Sequence, residues 1–229
     1  MKLLRSKSGQ FRERPYFDEG EIDRMCADEL RKAGLYPKQP GPVRIDRFLE
    51  KRFVAPTYAD LPDGLLGFTK FDAKGVVEIA IAKSLDDENT VVAERRMRST
   101  MAHEAGHGLA HTAFIAMTNG SCALFAGSVN NDSVLCRDVH GHGRRYSGEW
   151  WEYQANEAIG GLLLPCELVA NALQPYLVEV GSLLGHTLDP ARREEAIAAI
   201  AELFNVNPAV SRIRIESMYL LNTGGQLTL

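Results

Sequence analysis

The sequence predicts an α+β fold in which a small sheet packs on one long helix and further helices follow. Three observations carry that expectation. Short β-type segments crowd into 53–82, a helix-period segment runs through Met97–Phe114, and the periodic segments after residue 150 read as helices. At 229 residues the chain can bury one sizeable core, or a core with a small appended domain. Hydrophobic residues at 45% and charged residues at 24% are ordinary for a soluble globular protein. A net charge of −4 gives no global attraction to nucleic acid or to an anionic membrane. No apolar run reaches the length of a bilayer span, and the basic start, Met1 to Lys7, lacks the apolar core of a secretion signal. Cys26, Cys122, Cys136 and Cys166 form no C-x-x-C pair, which fits free thiols in a reducing cytoplasm.

In chain order, residues 1–17 are basic, polar and interrupted by Pro15, so a flexible lead-in is expected. Phe17 to Ala33 reads as a helix with Ile22, Met25, Cys26, Leu30 and Ala33 on one face and Gly34 at its end. A Pro/Gly-rich connection from Tyr36 to Pro42 leads to a short helix at Val43–Lys51. Phe53–Tyr58, Leu65–Phe71 and Val76–Ala82 are the strand candidates, with Asp72-Ala73-Lys74-Gly75 as a hairpin turn. Asp86-Asp87-Glu88-Asn89 offers cap residues for the long helix. Thr118 to Glu149 has no sustained period, and a stretch of that length inside a domain is usually functional or disordered. Trp150–Leu164 is a helix stopped by Pro165, with a further helical run to Val180. Asp189-Pro190 caps Ala191–Phe204, and Ala209–Leu221 follows the turn at Asn205–Pro208. The expected domains are 1–17 as lead-in, 18–185 as core, 186–222 as a C-terminal helical subdomain and 223–229 as a tail.

His103-Glu104-Ala105-Gly106-His107 is the H-E-x-x-H pattern. Histidines four apart stand about 40° apart around a helix, so both imidazoles can close on one metal ion. The glutamate between them suits a base that takes a proton from a water activated by zinc. With His103 at zero, His107 and His111 fall near 40° and about 80°, while Met97, Met101, Ala102, Ala105 and Leu109 fall between about 120° and 260°. The expectation is a core face and a separate metal face.

A catalytic zinc takes three protein ligands and keeps one position open. The H-x-x-G-x-x-H extension would place a third histidine at position 113, which is alanine. His111 could line the site, but ligation from the same helix would strain it. Glu149, Glu152 and Glu157 are the candidate carboxylates on the later helix. Spacing favours Glu152, because Asn156 four residues on could hold a histidine nitrogen behind the metal.

Arg95 to His107 resembles the arginine-rich lead-in and H-E-x-G-H of the ImmA/IrrE family of zinc metallopeptidases. Glu152-Tyr153-Gln154-Ala155-Asn156, running on to Leu162-Leu163-Leu164-Pro165, is similar to that family's second signature. The resemblance implies a zincin-like core, Zn2+ held by His103, His107 and Glu152, and Glu104 as the general base. It also implies a regulatory protein substrate, typically a helix-turn-helix repressor. Ser99, Ala158 and Gly160-Gly161 are smaller than the family pattern, which suggests a wider cleft.

Weaker signals remain. Cys136, His140 and His142, with a distant Cys122, could grip a second metal. His140, His142, Tyr146 or Tyr153 could donate to an oxyanion. In the helix–turn–helix at 191–221 Glu216 offsets Arg212 and Arg214, and Glu194 and Glu195 oppose Arg192 and Arg193, so packing or partner docking is expected rather than DNA contact. Val76–Ala82 could pair with an extended substrate by edge addition. The expected function is a cytoplasmic zinc endopeptidase. The alternative is a non-catalytic module, stabilised by zinc, that binds a protein or DNA through its C-terminal helices.

Overall fold

The computed structural model describes residues 2–5, 13–72, 74–117, 133–134, 150–179 and 186–219. It is a mixed α+β structure, mostly helical. The lead-in is more regular than expected. Strand β1 (Lys2–Arg5) pairs antiparallel with β2 (Glu13–Tyr16), with Leu3 opposite Pro15. In a two-stranded ribbon every strand is an edge, so the missing N–H of proline is tolerated. Helix α1 (Glu19–Lys32) starts on a reciprocal cap: Glu21 N–H donates to Asp18 Oδ1 at 2.8 Å, and Asp18 N–H donates to Glu21 Oε2 at 3.1 Å. Gly34, at φ 69°, turns the chain away after it. Helix α2 is Ile45–Arg52.

Strand β3 is Thr57–Ala59, β4 is Gly67–Asp72 and β5 is Gly75–Ala82. Their hairpin closes as expected, with Asp72 Oδ1 accepting from Lys74 N–H at 2.7 Å and Gly75 N–H at 3.0 Å. Strand β6 (Ser133–Val134) joins the far side of β4, so the order is β3-β5-β4-β6. This narrows the expectation for 76–82. β4 pairs antiparallel along β5, and on its other side β3 pairs in parallel with Ala80–Ala82, so edge addition is blocked at that end.

Helix α3 (Lys83–Asp87) takes up Asp86 and Asp87, two of the residues expected to cap the long helix. That helix, α4 (Val91–Met117), is capped by Thr90, whose Oγ1 accepts from Ala93 N–H at 3.1 Å. Helix α5 (Trp150–Leu163) ends before Pro165, and α6 (Cys166–Leu173) follows. The helical run expected to reach Val180 stops at Leu173. Pro175 lies in a 3-10 turn, and Leu177–Glu179 (β7) pairs with His186–Leu188 (β8). Helices α7 (Arg193–Phe204) and α8 (Pro208–Met218) close the described chain. Among the described residues no helix is long and apolar enough to cross a membrane.

Helix α4 runs through the middle, with the sheet on one side and α5 on another. The face expected to hold a metal is buried at His107 and His111, as deeply as Ala102 and Ala105, while His103 is part-exposed. The C-terminal helices share the same core, since Ile197, Ile200, Phe204 and Ile215 cluster with Ile22, Leu30, Phe48 and Leu162. The arginine-rich start of α4 serves that packing. Arg95 donates to Asn205 Oδ1 (3.1 Å) and Glu202 Oε1 (2.8 Å). Arg98 donates to the carbonyls of Asn205 and Val43, both at 3.0 Å. Charged donors thus satisfy the end of α7, where Asn205 turns left-handed at φ 52°.

Candidate metal centre

Helix α4 presents His103 and His107 to the first turn of α5, which brings Glu152. His103 Nε2 lies 3.1 Å from His107 Nε2 and 3.2 Å from Glu152 Oε2, and His107 Nε2 lies 3.7 Å from Glu152 Oε1. Among the described residues this is the one group of His, Cys, Asp or Glu whose ligand atoms converge closely enough to hold a metal ion. The helices meet here because Gly106 has no side chain. A Cβ at Gly106 would stand 2.8 Å from Ala158 Cβ and 3.0 Å from Ala155 O.

The chemistry of the donor set fits a cation. His103 Nδ1 is 3.0 Å from Asn156 Oδ1, and an amide oxygen only accepts, so the ring hydrogen sits on Nδ1. Nε2 then turns its lone pair towards the second imidazole and the carboxylate. Burial, then the neighbouring His103 and His111, holds His107 well below the ordinary histidine range. A neutral imidazole is the form that ligates.

Glu104 stands outside the trio, facing β4. It is almost fully buried, and its Oε2 accepts from Thr69 Oγ1 at 2.7 Å. A buried carboxylate without such a donor would be strongly penalised. Gly67 makes room for it: a Cβ there would lie 2.9 Å from Glu104 Oε1 and 2.7 Å from Thr100 Cγ2. Sequence reasoning missed Thr69 and Gly67. Strand alternation carried the signal, because Gly67, Thr69 and Phe71 share the buried face and a polar residue there is unusual.

The other candidates are placed as follows. His111 does not join the trio; its Nδ1 lies 3.1 Å from His107 Nδ1 and its Nε2 lies 3.1 Å from Gln154 Oε1. Glu157 stands near Tyr153, and burial, then Glu157, pushes that phenol up. The Tyr153 hydroxyl donates to Glu19 Oε1 at 3.1 Å, on the α1 side. Cys122, Cys136, His140, His142, Tyr146 and Glu149 lie outside the described residues.

At two of the small residues of α5 the room is taken up by neighbouring helices. Ala158 abuts Gly106, and a Cβ at Gly161 would stand 2.9 Å from Cys26 Sγ, so close helix contacts occupy the space. Ser99 Oγ donates to the Arg95 carbonyl at 3.0 Å. On the C-terminal pair, Arg212 grips Glu194 with both terminal nitrogens, at 2.8 and 2.6 Å, and Arg193 pairs with Glu216. No family model matches the chain, and no curated protein matches it either.

Proposed function

We propose that the chain is a zinc-dependent endopeptidase with a zincin-like core, in which His103, His107 and Glu152 hold the metal and Glu104 is the general base. One observation supports this above the rest. Two imidazole nitrogens and a carboxylate converge within 3.1–3.7 Å, while a second, separately anchored carboxylate follows the first histidine. Zinc supplies Lewis acidity to a water and to the scissile carbonyl. Thr69 holds Glu104 Oε2, so the carboxylate is oriented before substrate arrives. Glu104 takes a proton from the attacking water and delivers it to the amine nitrogen as the C–N bond breaks. Water adds across the amide, and the carboxylate is regenerated.

The resemblance in 95–107 and 152–165 supports the same reading and implies a helix-turn-helix repressor as substrate. A non-catalytic zinc module has no need of a base at position 104. The test is Glu104→Gln, assayed for zinc content and for cleavage of candidate repressors by mass spectrometry. Zinc should be retained and cleavage abolished; undiminished cleavage would overturn the mechanism.

A further inference from the structure

We propose that His111 and Gln154 are positioning residues that fix His107 in the tautomer able to ligate through Nε2. The inference rests on the zinc reading and deepens it, by assigning roles to two residues that are neither ligand nor base in it.

Gln154 Oε1 lies 3.1 Å from His111 Nε2, and an amide oxygen can only accept. The hydrogen of His111 therefore sits on Nε2, which leaves its Nδ1 as an acceptor. His107 Nδ1 is 3.1 Å from that atom, so His107 must donate from Nδ1. With its hydrogen spent there, His107 Nε2 carries a lone pair, and this is the atom 3.1 Å from His103 Nε2. Asn156 does the same for His103 from the other side. Two lone pairs and a carboxylate then face one another, an arrangement that a cation stabilises and that nothing apolar would.

The backing of His107 is unusual in kind. A ligating histidine commonly donates to a carboxylate or a backbone carbonyl. Here a neutral ring one helical turn further along α4 accepts instead, and it is buried to 2% exposure. The Trp150 ring stands edge-on to His111, centroids 5.4 Å apart, and fills the space beside it. A carboxylate behind His107 would add negative charge to the site; the imidazole–amide pair sets the tautomer without doing so.

Two measurements test this. Nitrogen-15 NMR of the histidine rings in the zinc-free protein should find the His107 hydrogen on Nδ1 and the His111 hydrogen on Nε2. Zinc competition against a chelating indicator should show His111→Phe binding roughly 10–100-fold more weakly than the parent. Gln154→Leu should also weaken binding. His111→Asn, which restores an acceptor near the position of Nδ1, should recover most of the loss, whereas a purely structural role would not distinguish Asn from Phe in this way. Parent protein that binds no zinc would overturn the metal reading and this inference together. Parent that binds zinc, with His111→Phe binding equally well, would overturn this inference alone. So would a His107 hydrogen on Nε2 in the parent, a result that requires no variant to fold.

Discussion

Thr69 and Glu104 are joined across the boundary between sheet and helix, the hydroxyl donating to the carboxylate at 2.7 Å in a fully buried setting. Strand β4 thereby sets the orientation of a residue that the helical motif alone leaves free to rotate. Thr69→Val keeps the branched shape but deletes the donor. Stability should fall by about 1–3 kcal/mol, because the remaining carboxylate is buried without it. Zinc affinity should stay near that of the parent, since no ligand is touched. Urea unfolding and zinc titration check both parts; an equally stable variant would show that Thr69 does not matter to Glu104.

Gly106 and Gly160 make a matched pair for testing the helix contact. Gly106→Ala puts a methyl 2.8 Å from Ala158 Cβ and must push α5 from α4, whereas the nearest atom to a Cβ at Gly160 is Arg214 Cδ at 3.6 Å. The first should lower both stability and zinc affinity, because Glu152 moves with its helix. The second should leave zinc binding intact and stabilise by about 0.5–1 kcal/mol, through the better helix propensity of alanine. Thermal melts with and without zinc separate the two.

Much of this site was legible in the sequence. The helical period brought His103 and His107 together, and the i,i+4 spacing of Glu152 and Asn156 matched what α5 does: one side chain joins the trio and the other holds His103 Nδ1. The α+β class and most helix boundaries were legible for the same reason, periodic burial. What escaped depends on contacts distant in sequence. Thr69 and Gly67 matter only because β4 crosses α4, and Gly160 and Gly161 looked like missing volume until Arg214 and Cys26 were seen beside them. Strand order likewise followed from tertiary pairing, which made β5 an interior strand.

Arg214 ties the last helix to the first. Its guanidinium, 8% exposed, lies 2.8 Å from Asp23 and donates to the Leu164 carbonyl at 2.9 Å. Arg214→Met should cost about 3–5 kcal/mol, since Asp23 loses its partner in a largely buried pair. Chemical denaturation measures this, and a loss below 1 kcal/mol would mean that the pair contributes little.

The buried histidines make the zinc-free protein sensitive to mild acid. His111 is held down at about 4, by burial against the opposing Gln154 hydrogen bond and with His103 adding to the depression; burial also lowers His107. Unfolded imidazoles take up protons near about 6.5, and the folded ones do not. The stabilisation is therefore complete above that pH and is lost as pH falls towards 4, with a slope approaching about 1.4 kcal/mol per pH unit for each histidine. Unfolding midpoints at pH 7.5 and 5.2, above most carboxylate titration, should differ clearly. His111→Phe should reduce the difference, and a flat profile in the parent would contradict the burial described here.

The metal itself decides whether these contacts form a metal centre. Equilibrium dialysis against zinc, followed by metal analysis, should find one tightly held zinc per chain in the parent. Glu152→Ala should lose most of that affinity while Glu157→Ala keeps it, as expected from the convergence of Glu152 with His103 and His107. A Glu152→Ala protein that holds zinc as tightly as the parent would contradict the site as described.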